Sequence, residues 1–257
     1  MEWFYNLQGW QQALLATSFT WFLTALGAMP VFFCKSVGKN AFSLMMSSAA
    51  GIMLASTFFS LLLPALETGA SFSFLILTFG FILGGLLIIL TDIITGKLHL
   101  FADNAKKRSC AVMCTAVTIH NIPEGLAIGV AFGAIATNGG MGAVGAVMLA
   151  VGIGIQNFPE GMCISFPLRA NGVSAFKSFF IGQLSGVVEI ISGVLGALAV
   201  TFASGLLPWA LSFSAGAMIA VVCSELIPEC FSGSKIKATA GVILGFALMM
   251  ILDIALG

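Results

Sequence analysis

The stretch HNIPEGLAIGV, residues 120–130, sets a histidine, an asparagine, a proline and a glutamate inside a long apolar run. His120 and Glu124 are four residues apart, so a helix puts them on one face. The stretch QNFPEG, residues 156–161, repeats the pattern, with Gln156 and Glu160 in the equivalent places. All four lie near the middle of segments that otherwise read as membrane spans. A charged side chain there costs about 2.5–3.5 kcal/mol on insertion scales and normally faces a polar cavity or a partner.

The surrounding composition makes that setting a bilayer. The chain has 257 residues, is 59% hydrophobic and 8% charged, and has a mean hydropathy of +1.10. A water-soluble domain carries roughly 25% charged residues. The expected class is an all-α integral membrane protein. Zero net charge and few basic residues argue against nucleic-acid binding. The opening MEWFYNLQGW has an acidic residue and no basic one, a poor secretory signal, so the first apolar segment is expected to stay as a span. The six cysteines form no CxxC pair and read as small apolar filler.

Eight segments reach the roughly 20 residues a span needs: Gln11–Phe33, Ser43–Leu66, Phe72–Thr95, Cys110–Ile135, Gly142–Pro167, Ser174–Phe202, Pro208–Cys230 and Ile236–Leu256. The joints are short and leave no room for a soluble domain. All ten Lys and Arg fall in alternate joints: Lys35 and Lys39; Lys97, Lys106, Lys107 and Arg108; Arg169 and Lys177; Lys235 and Lys237. The positive-inside rule makes that side cytoplasmic and puts both termini outside.

The spans also resemble one another. GFILGGLLIILTDIITG (80–96) and GVILGFALMMILDIALG (241–257) share eight of 17 positions, Asp92 with Asp253 among them. SSAAGIMLA (47–55) resembles SFSAGAMIA (212–220), and SLLLP (60–64) resembles SELIP (224–228) one residue out of step. Each pair joins an odd span to an even one, so its members run in opposite directions. This predicts an inverted repeat in which spans 1–3 match 6–8 and span 4 matches 5, with a site near the midplane.

Glu189, in GQLSGVVEIISG, lies in the middle of span 6. Three central glutamates with no Lys or Arg at that depth need protons or a metal. The candidate ligands are His120, Glu124, Gln156 and Glu160, with Asn121, Asn157 and Glu189 beside them. Imidazole suits Zn and Fe, and oxygen donors extend the range towards Mn. The lack of thiolates argues against a tight structural zinc site. Pro123 and Pro159 are expected to kink their helices and free the carbonyls of Ile119 and Ile155. Gly125, Gly129 and Gly133 form a stripe that permits close helix packing. Glu225 and Glu229, which flank Pro228, and Asp92 are further pathway candidates. His99, in the loop before span 4, reads as an exposed residue.

At HNIPEG, QNFPEG and GQLSGVVE the chain resembles the ZIP (Zrt-, Irt-like) family of divalent-metal transporters, in its bacterial GufA-like branch. The resemblance implies eight helices with both ends outside, in the plasma membrane of a bacterium, and a homodimer. It implies inward transport of Zn²⁺, with Fe²⁺, Mn²⁺ or Cd²⁺ as alternatives, the metal being cargo with no organic cofactor. It also implies a binuclear site: His120, Glu124, Gln156 and Glu160 around one metal, and Asn121, Asn157 and Glu189 around the second, with Glu124 and Glu160 bridging. Many family members carry His at the position of Gln156, and some carry Asp at that of Asn157. Weaker binding or a shifted metal preference is therefore expected here.

The rival function is an intramembrane metal-dependent hydrolase, using metal-bound water. Against it, no HExxH motif occurs, and a one-sided active site has no need of symmetric ligands. A proton-linked carrier of organic solutes is a third reading, one indifferent to metals. No ATP-binding motif suggests direct coupling to nucleotide hydrolysis.

Overall fold

In hydrocarbon every backbone N–H and C=O must be satisfied within the chain, and for a Leu-, Ile-, Ala- and Gly-rich sequence the helix does this locally. A computed structural model of the protein describes residues 2–35, 38–68, 73–97, 105–135, 142–231 and 234–256, and all regular structure among them is helical. Eight long helical stretches follow in order. They are α1 (Gly9–Phe32), α2 (Lys39–Ser56, continued by Thr57–Leu62 and Leu63–Glu67), α3 (Ser73–Lys97) and α4 (Ala105–Ile135). Then come α5 (Ala143–Ala170), α6 (Ala175–Leu184 and Val187–Phe202), α7 (Leu207–Val221, Val222–Leu226 and Ile227–Phe231) and α8 (Lys235–Ile251, then Leu252–Leu256). His99 lies outside the described residues, as do the side chains of Lys106, Lys107, Arg108 and Glu229.

Among the described residues, seven of the eight are long and apolar enough to cross a bilayer by length and composition. The exception is α4, which has 31 residues but carries His120, Asn121, Pro123 and Glu124 at its middle. Its length suffices; those four residues lower its hydropathy, and three of them, His120, Asn121 and Glu124, are polar groups buried in the protein rather than turned to lipid. The apolar surface lies elsewhere: Phe79, Leu86 and Leu90 of α3 and Ile243, Leu244 and Ile251 of α8 are all exposed.

Helical structure persists at both prolines expected to kink their helices and is interrupted elsewhere. Both α4 and α5 continue as unbroken α-helix through Pro123 and Pro159. One missing N–H and one displaced carbonyl do not end a helix whose other rungs persist. The break falls instead in α6, at Ser185–Gly186, where the Glu189 N–H bonds to the Gly186 carbonyl rather than that of Ser185. In addition, α2 and α7 each contain a π-helical stretch, Thr57–Leu62 and Val222–Leu226, just before Pro64 and Pro228. The ring of each proline excludes the usual carbonyl four residues back, and a wider turn accommodates it.

The most extensive packings are α1 on α5, α4 on α6, α2 on α8 and α3 on α7. Glycines set the closest approaches. Gly84 abuts the Phe213 carbonyl and Gly216 the Phe81 carbonyl where α3 meets α7. In the α2–α8 pair, Gly245 abuts the Ser48 carbonyl and Gly51 the Val242 carbonyl. Gly80 meets the Ser212 hydroxyl and Gly241 the Ser47 hydroxyl. Under the sequence alignment above these contacts correspond residue for residue. The functional groups sit within the other four helices, α1, α4, α5 and α6.

Candidate metal centre

The centre begins on α4 and α5, whose PEG turns bring equivalent residues face to face. His120 Nε2 lies 3.5 Å from Glu124 Oε1 on its own helix and 3.4 Å from Glu160 Oε1 on α5. Their ligand atoms all lie within 4.8 Å of one another, and all three residues are buried. Gln156 donates from Nε2 to Glu124 Oε1 across the same interface.

The polar atoms of the cluster are in an unusual state. Buried side-chain N and O atoms almost always have a hydrogen-bond partner. Here Nδ1 and Nε2 of His120, Oε2 of Glu124, both carboxylate oxygens of Glu160 and Oε1 of Gln156 have none. So do the amide oxygens of Asn121 and Asn157. The imidazole of His120 and the carboxylates of Glu124 and Glu160 converge with more lone pairs than N–H groups to fill them, a donor set that suits a divalent transition metal.

The amide orientations follow from their anchors. Asn121 donates from Nδ2 to the Ser185 carbonyl at 3.0 Å, the acceptor released by the break in α6. Asn157 donates from Nδ2 to the Thr20 carbonyl at 3.3 Å and to both oxygens of Glu189 at 2.8 and 2.9 Å. With each NH₂ held by an acceptor, each oxygen is left as the available ligand.

Glu189 stands apart from the cluster. Its Oε2 also accepts from the Thr20 hydroxyl at 2.5 Å, so both of its oxygens are engaged. The structure thus brings His120, Glu124, Gln156 and Glu160 together and ties Glu189 and Asn157 to each other beside them. Thr20 and the Ser185 carbonyl are contacts that sequence reasoning missed. One is a threonine among several in α1, the other a backbone group at an unforeseen break.

Glu225 of α7 joins the centre indirectly. It lines a cavity of about 120 Å³ whose walls include His120 and Glu160, together with Met46, Val117 and Cys163.

Comparison with known proteins agrees with this geometry. Residues 102–253 match the family model described as ZIP Zinc transporter. Zinc transporter ZIP11 of Homo sapiens is 35% identical, covering 96% of this chain and 97% of the relative. Zinc transporter GufA of Myxococcus xanthus is also 35% identical, over 91% of this chain and 94% of its own. Zinc transporter ZIPB of Bordetella bronchiseptica is 33% identical, over 91% and 78%. On these matches the chain is a member of the ZIP zinc transporter family.

Proposed function

We propose that the protein carries divalent transition metal ions, Zn²⁺ first among them, across the plasma membrane of a bacterium into the cytoplasm. The observation that carries this reading is the buried set of unpartnered ligand atoms on His120, Glu124, Gln156 and Glu160. A second cation position, built on Asn121, Asn157 and Glu189 and bridged by Glu124 and Glu160, completes a binuclear centre. Glu225, which shares a cavity with His120 and Glu160, continues the polar route towards one end of α7, with Glu229 one turn further along and Asp92 of α3 as a further station.

In this reading all eight long helices span the bilayer with both termini outside, as the segregation of the ten Lys and Arg requires. The matched glycine contacts of α3–α7 and α2–α8 support an inverted repeat, and equivalent packings on the two sides suit a carrier that opens to either face. The homodimer is carried over from the family resemblance.

The test is flux. Purified protein in sealed proteoliposomes should accumulate radioactive zinc, with competition from Cd²⁺, Mn²⁺ or Fe²⁺, and the vesicles should release no cleaved lipid or peptide. Metal-dependent cleavage without zinc accumulation would replace the carrier by the hydrolase. Gln156→His is expected to strengthen zinc binding and slow release. Each 1.4 kcal/mol gained by the imidazole lowers the zinc KM by about tenfold, and maximal flux should fall with it, as initial rates across zinc concentrations would reveal.

A further inference from the structure

The helix α1 offers three buried threonines, Thr17, Thr20 and Thr24, on one stripe. The Thr17 hydroxyl donates to the Ala13 carbonyl at 2.7 Å and that of Thr24 to the Thr20 carbonyl at 3.3 Å, both within their own helix. Thr20 differs. Its hydroxyl lies 3.0 Å from the Thr17 carbonyl but 2.5 Å from Glu189 Oε2 on α6. A hydroxyl has one proton, and the nearer, charged acceptor takes it. The carbonyl of the same residue accepts from Asn157 of α5. One residue therefore holds two others, each from a different helix.

We propose that Thr20 is a positioning residue for the second cation, and that it acts by fixing Glu189. This inference rests on the two-position reading given above. The carboxylate is held unevenly: Oε2 accepts from both Thr20 and Asn157, whereas Oε1 accepts from Asn157 alone. A cation that displaces the Asn157 N–H from Oε1 gains that oxygen while Thr20 keeps Oε2 in place. Asn157 retains the Thr20 carbonyl as an acceptor and keeps its amide oxygen directed to the ion. Without the hydroxyl, Glu189 must be ordered by the ion itself, at the expense of affinity at that position only. Among the described residues, the hydrogen bonds of Thr20 run to Thr17, Thr24, Asn157 and Glu189 and to none of the first-position side chains.

Calorimetric titration of the full chain in nanodiscs with Cd²⁺ tests this. Wild type should bind two ions. Thr20→Val, which keeps the shape, and Thr20→Ala, which relieves any crowding, should leave the first affinity unchanged and weaken the second by about tenfold, the scale of one hydrogen bond to a charged group. Thr20→Ser should restore it, a rescue that a packing role would not give. Two ions bound by Thr20→Val and Thr20→Ala with wild-type affinities would overturn the role of Thr20 and leave the binuclear centre standing. A single ion bound by wild type would overturn both.

Discussion

Replacing Glu124 or Glu160 by alanine should reduce zinc uptake by at least a hundredfold while the protein still inserts and purifies as folded material. Both carboxylates are buried beside His120, at 3.5 and 3.4 Å from its Nε2. Truncating one partner of a fully desolvated charged contact with a bound ligand costs upward of about 3 kcal/mol of binding, about a hundredfold or more. A metal held by few charged ligands has no substitute for either. Insertion should not suffer, because an alanine at the centre of a span is far easier to place in lipid than a glutamate. Glu67, exposed at the end of α2, supplies the comparison: Glu67→Ala should transport as wild type. Zinc uptake by Glu124→Ala or Glu160→Ala within a few-fold of wild type, in the same proteoliposomes, would remove these residues from the cargo site.

The second large effect needs only one methyl group. A Cβ at Gly129 would stand 1.9 Å from the Gly193 carbonyl oxygen and 2.8 Å from its Cα. The obstacle is backbone on both sides, so no rotamer change relieves it, and α4 must move off α6. Overpacking of a buried contact costs about 1–3 kcal/mol and more where backbone must shift. Gly129→Ala is therefore expected to abolish a monodisperse peak in size-exclusion chromatography or to lower the melting temperature sharply. Gly142→Ala, where a Cβ meets nothing within 4 Å, should be indistinguishable from wild type. The displacement would also reach the centre, because Asn121 on α4 is anchored to Ser185 on α6. Surviving Gly129→Ala protein should transport poorly even when it remains in the membrane.

Much of this was legible in the residues alone. Composition and apolar length placed helices over nearly the segments observed, because lipid leaves the backbone no other local solution. His120, Glu124 and Glu160 declared themselves as polar groups that hydrocarbon would otherwise reject, and their spacing fixed a common face. The metal family was legible from the paired PEG motifs, and the glycine correspondences between 80–96 and 241–257 were visible as letters before they were contacts. The rest depended on relations that sequence does not encode locally. Thr20 meets Glu189 across 169 residues of chain, and nothing in its neighbourhood distinguishes it from Thr17 or Thr24. The prolines at 123 and 159 leave α4 and α5 helical throughout, whereas GQLSG conceals a break at Ser185–Gly186. The π-helical stretches before Pro64 and Pro228 take their wider turns from the proline rings, which apolar periodicity alone does not report.

The outward-turned NH₂ groups of Asn121 and Asn157 have one more effect. With their nitrogens fastened to carbonyl and carboxylate oxygens, what these side chains leave unpartnered is electron density. A sugar or amino acid would find few hydrogens to receive its own lone pairs, and an anion would meet repulsion from Glu124 and Glu160. On the proposed reading, discrimination by sign is thus built into the lining before any ion is measured for size. Only among cations does the contest turn on radius, softness and the willingness to shed water.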